Sequence, residues 1–116
     1  MSKYISKKTR LAVYEKYEGK CAYCGKDLLG IKHMQVDHIW PVRRYERFKD
    51  VHAFENLNPS CRRCNHYKSV LNLEEFRGIL MTLHERASNY SMNKVAADYG
   101  IVSIKAWDGV FHFEQQ

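Results

Sequence analysis

The chain has 116 residues, 45% of them apolar, a length suited to one compact domain whose small core invites support from metals or disulfides. Nineteen Lys and Arg against thirteen Asp and Glu leave a formal charge of +6, and the basic residues bunch in SKKTR, PVRRYERFK and CRRCNHYK, which favours a polyanionic partner. No apolar run reaches membrane-spanning length and no apolar stretch follows the charged MSKYISKKTR, so neither a membrane span nor a signal peptide is expected and the expected location is cytoplasmic, where paired cysteines bind metal or do redox chemistry before they form disulfides.

Ser6 reads as the cap of a helix through KKTRLAVYEKYEG, with Leu11 and Tyr14 on its apolar face and Gly19 as its stop. Cys21-Ala-Tyr-Cys24-Gly25 follows as a knuckle that aims two sulfurs at one point. Gly30 then turns the chain into HMQVDHI, a short strand on which Met34, Val36 and His38 share a face by alternation, and Pro41 ends it. The segment VRRYERFKDVHAFENL has no clean period and reads as a loop with a helical turn. Cys61-Arg-Arg-Cys64 runs into NHYKSVL, a short helix. Asn72 caps a longer one, LEEFRGILMTLHERA, with Leu73, Phe76, Leu80 and Leu83 as its apolar stripe. SMNKVAADYG repeats the pattern between Ser91 and Gly100, and Asp108-Gly109 in IVSIKAWDGVFHFEQQ signals a C-terminal hairpin. With no repeat or low-complexity tract, residues 1–116 read as a single domain.

Two C-x-x-C pairs, with 36 residues between Cys24 and Cys61, can supply four thiolates (Cys21, Cys24, Cys61, Cys64) to one structural Zn²⁺. Such a site draws the VDHIWP strand towards the helix after Cys64. A redox use of the pairs would want a βαβ setting, which the sequence lacks.

In order, C-A-Y-C-G, V-D-H-I-W-P, E-N-L-N-P-S-C-R-R-C-N and Lys68 resemble the HNH endonuclease family. The resemblance covers roughly residues 21 to 68 and implies an α+β fold: a ββα-metal core, about residues 21–70, inside a four-cysteine zinc frame, flanked here by helices and the hairpin. It implies that His38 is the general base, that Asp37 and Asn65 hold a catalytic Mg²⁺ or Mn²⁺, and that Asn56 positions the histidine and its loop. His66, one place after Asn65, is the alternative second ligand. The chemistry suits those residue types, because neutral imidazole can deprotonate water and hard divalent cations prefer oxygen donors. Arg43, Arg44, Arg62, Arg63 and Lys68 are candidate contacts to DNA phosphates.

The resemblance therefore implies a divalent-metal-dependent DNA endonuclease that nicks one strand per site, with a homodimer or phage packaging proteins as further partners. The competing reading is a catalytically inactive, zinc-stabilised DNA-binding or phage-assembly module. His33, His52, His84 and His112 lie outside the motifs and read as structural or surface residues, and Trp40 and Trp107 as packing.

Overall fold

A computed structural model describes residues 5–115. Two compact units divide the chain, one comprising Met1–Leu73 with Phe111–Gln116 and the other Glu74–Val110. The architecture is α+β: among the described residues, short helices with a single two-stranded sheet.

The first helix, α1 (Lys7–Glu15), starts where Ser6 accepts the Thr9 N–H at 3.1 Å. Its inward face is set by Val13 and Lys16, three residues apart, and Lys16 Nζ donates to the Leu57 carbonyl at 2.6 Å. Leu11, expected on the apolar face, is 48% exposed. Gly19, at φ +77°, closes the helix by donating to the Tyr14 carbonyl.

Strands β1 (Gln35–His38) and β2 (Leu57–Ser60) pair antiparallel, with Asp37 opposite Asn58 and His38 opposite Leu57. Pro59 is tolerated because, among the described residues, neither strand has a second strand beside it; on the open side of β2 the Pro59 carbonyl accepts the Ala22 N–H at 2.8 Å. The expected face of β1 needs correction. Asp37 is its buried residue, at 4% exposure, while Val36 and His38 are half-buried. Alternation reads apolar side chains, but here partners for a carboxylate decide which face turns inward.

After β1 the chain forms α2 (Val42–Tyr45) and a 3₁₀ turn at Phe54–Asn56. Helix α3 (Arg62–Lys68) begins three residues before NHYK, with Cys61 as its N-cap. The long helix expected after Asn72 is two: α4 (Leu73–Met81) and α5 (Leu83–Asn89). They part at Thr82 because its hydroxyl and Arg86 take the Ile79 carbonyl, at 3.3 and 2.9 Å, which Leu83 N–H would need to continue the helix. Helix α6 (Ser91–Asp98) follows, tied to α5 by Asn93 Nδ2 donating to the Ala87 carbonyl at 2.7 Å.

The C-terminal hairpin does not form. The turn is present, with Gly109 at φ +87° and Val110 N–H on Asp108 Oδ1 at 3.0 Å, but no strand flanks it. The second arm has other partners: His112 and Phe113 donate to the Tyr23 and Ala22 carbonyls at 3.1 and 2.8 Å. Phe111 and Phe113 close edge-on over Tyr23, at ring separations of 5.4 and 5.9 Å. This close approach explains Gly25, at φ +81°: a Cβ there would lie 2.9 Å from His112 Nδ1.

Candidate metal centre and active site

Two tight turns build the cysteine frame. Cys21 donates to the Lys26 carbonyl and accepts from Gly25 through its own carbonyl, both at 2.9 Å, which folds the first knuckle back on itself. In the second, Cys61 Sγ accepts the Cys64 N–H at 3.4 Å at the start of α3. The four sulfurs all lie within 4.8 Å of one another, and none is in a disulfide. A zinc ion with Zn–S bonds of about 2.3 Å sets its ligands about 3.8 Å apart, so the quartet suits a tetrahedral ion. Hydrogen bonding from Cys24 and Cys64 holds the Cys21 thiol far below its usual range, while Cys21 and Cys24 push Cys64 far up. Four sulfurs so crowded cannot all ionise without a cation among them. The cluster could hold a metal ion.

Beside this frame lies a buried polar cluster. Asp37 accepts the Tyr23 hydroxyl on one oxygen, and Lys68 Nζ lies 3.4 and 3.2 Å from its two oxygens. Lys68 has no exposed surface, and its third partner is the His38 carbonyl at 3.0 Å. Asn58, also with no exposed surface, donates to the Tyr23 hydroxyl at 3.5 Å. Burial pushes the Asp37 carboxyl up, against the pull of Lys68 and Tyr23, and pushes the Lys68 ammonium down, against the pull of Asp37. Burial and the Asp37 charge push the Tyr23 phenol well above its usual value, so it remains a donor. The expectation that Lys68 meets DNA phosphate is corrected: its charge is spent inside the protein.

His38 points the other way from Asp37, as neighbours on a strand must. Its Nε2 is buried with no hydrogen-bond partner, and its ring meets the edge of His52 at 5.6 Å. Burial, then the His52 and Lys68 charges, hold its pKa below the ordinary 6.5. Asn56 spans the loop behind it: Oδ1 accepts the Trp40 N–H at 2.8 Å, and Nδ2 donates to the Trp40 and Val51 carbonyls at 3.1 and 2.8 Å.

Asn65 is half-buried on α3, three residues before Lys68 and so on the same side of the helix. His66 instead lines a cavity of about 350 Å³ with Lys26, Arg62 and Arg63. Asp37 and Asn65 are both oxygen donors, which suits Mg²⁺ or Mn²⁺. A carboxylate has about four lone-pair positions, so Tyr23 and Lys68 do not exhaust Asp37.

Residues 21–70, from the first cysteine through α3, match the family model described as HNH endonuclease. This segment, a little under half of the chain, is similar to HNH endonuclease domains. No curated protein and no solved structure matches the chain. At the level of the family, an HNH domain goes with nuclease activity on DNA and with metal binding, and no helix among the described residues is long and apolar enough to cross a membrane.

Within this segment Arg43, Arg62 and Arg63 are exposed. Arg44 is exposed too, yet it donates to the Val70 carbonyl at 3.1 Å and lies over the Tyr45 ring. Trp40 is 38% exposed rather than core, edge-on to Tyr45 and covered by Lys49 at 4.2 Å from its ring centre. Phe48 is 79% exposed. Neither Tyr23 nor Asn58 is singled out by sequence, and His52 reads there as a structural or surface residue. Tyr23 sits between the first two cysteines and Asn58 inside E-N-L-N-P, so their motifs were visible although their side-chain partners were not.

Proposed function

We propose that the chain is a divalent-metal-dependent DNA endonuclease that hydrolyses one phosphodiester per active site and so nicks duplex DNA. The observation that carries this reading is His38 Nε2, a buried imidazole nitrogen with no protein partner, on a ring whose surroundings favour the neutral form. Leaving such an atom unpaired costs stability, and a neutral imidazole with a nitrogen not committed to the protein is what a general base needs.

In this reading His38 takes the proton from the attacking water, and Asn56 holds the Ile39–Trp40 turn so that the imidazole keeps its aim. Asp37 and Asn65 would hold Mg²⁺ or Mn²⁺. That ion, when bound, supplies the charge that stabilises the phosphorane-like transition state and the leaving oxygen. The chain would offer it one carboxylate and one amide oxygen, a hard donor set that suits Mg²⁺. Zn²⁺ at Cys21, Cys24, Cys61 and Cys64 would fix α3 against the first knuckle, and Arg43, Arg62, Arg63 and Phe48 would receive the DNA. The test is supercoiled plasmid incubated with a Mg²⁺ and Mn²⁺ series. Open circles forming before linear product support a nicking endonuclease, whereas salt-sensitive binding without any cutting would favour the inactive binding module.

A further inference from the structure

The most heavily invested side chain near the site is Lys68. A lysine with no exposed surface is costly, because its ammonium has left water, and it persists only where acceptors surround it. Here there are three: both oxygens of Asp37 at 3.4 and 3.2 Å, and the backbone carbonyl of His38 at 3.0 Å. All three belong to consecutive residues of β1, while Lys68 itself ends α3. The contact therefore joins the strand that carries His38 and Asp37 to the helix that carries Asn65.

We infer that Lys68 is a positioning residue of the candidate active site: its buried ammonium pins β1 to α3 and so fixes His38 and Asp37 relative to Asn65. This rests on the nuclease reading for its consequence in catalysis, but the pin is a property of the fold. Three details favour pinning over a merely structural ion pair. The bond to the His38 carbonyl adds nothing to charge neutralisation, yet it fixes the backbone of the residue that bears the free imidazole. Tyr23 holds the opposite side of the Asp37 carboxylate, so the group is clamped from two directions. Lys68 also lies on the same face of α3 as Asn65, so a rotation of the helix that moved one would move the other.

The test compares Lys68→Met, of similar length but without charge, with the unaltered chain loaded with zinc. Positioning predicts a fall in kcat of tenfold or more at nearly constant KM. In a His38→Ala background, where cutting is removed, Lys68→Met should leave DNA affinity within about twofold and the salt dependence of binding unchanged. With His38 intact, the ¹H–¹⁵N signals of its ring and amide should move, while those of His84 stay. Weaker binding with a salt slope lower by about one, at intact kcat, would mean that Lys68 touches phosphate and would overturn the inference. Unmoved His38 signals would overturn it equally. Should Lys68→Met fail to fold, the same signals are read in Lys68→Met with Asp37→Asn, which removes both charges while still deleting the bond to His38. If the unaltered chain cuts no DNA under any metal, the nuclease reading fails, and the His38 signals still decide whether Lys68 holds the strand.

Discussion

Replacing Asn56 by alanine deletes three hydrogen bonds at once, and their worth can be worked from their surroundings. The Val51 carbonyl is buried, with its residue 2% exposed, so losing Nδ2 at 2.8 Å leaves an acceptor that water cannot reach, a cost of about 2 kcal/mol. The two bonds to Trp40 are nearer solvent and can be partly replaced by water, at about 0.5 to 1 kcal/mol each. The total is about 3 to 4 kcal/mol, and with a urea slope of about 1.5 kcal/mol per molar the midpoint should fall by about 2 to 2.7 M. Unfolding is best followed by Trp40 fluorescence in a Trp107→Phe background, at fixed free zinc so that metal linkage contributes equally to both proteins. Asn56→Asp is the sharper control. It retains the acceptor for Trp40 N–H but sets a carboxylate oxygen against two carbonyls, so its loss should match or exceed that of alanine. A midpoint shift below about 0.3 M for Asn56→Ala would refute the assignment of Asn56 as the tie across this loop.

Other outcomes follow from the same geometry. Native mass spectrometry should find about one zinc per chain, falling on Cys24→Ser, and chelation should erase amide protection in β1 and β2; unchanged protection after metal loss would count against a structural ion. Gly25→Ala should destabilise the fold by about 1 to 3 kcal/mol, because it combines φ +81° with a Cβ 2.9 Å from His112. Gly78→Ala, in α4 with nothing within 4 Å of its Cβ, should instead stabilise by about 0.5 to 1 kcal/mol, and calorimetry on the pair separates the two effects. Because His38 must be neutral to accept a proton and its pKa is held below 6.5 by burial, kcat/KM should rise with pH and pass half its plateau below pH 6.5. Removing His52 should move that limb upward, and a limb above 6.5 in the unaltered chain would contradict the assignment.

What was legible in the sequence was whatever is local. The two C-x-x-C knuckles carry their own turn chemistry, the α+β class came with the family resemblance, and Ser6 caps α1 through a bond only three residues long. The face of β1 was not legible, because Asp37 is drawn inward by Tyr23 and Lys68, 14 and 31 residues away, and no alternation records such partners. Lys68 looked like a surface cation for the same reason. The Asp108-Gly109 turn was readable and did form, but the second arm found its acceptors at Ala22 and Tyr23, at the far end of the chain. Thr82 and Arg86 broke a periodic helix through a competition for one carbonyl that hydrophobic spacing does not register.

The most direct measurement of the central claim is the rate of plasmid nicking by the zinc-loaded chain and by His38→Ala, side by side, with DNA binding measured on both. Loss of a general base predicts a fall of about 10²- to 10⁴-fold in the nicking rate while DNA affinity and zinc content hold. Equal rates in the two proteins would contradict the account, because the free imidazole of His38 would then have no part in cleavage.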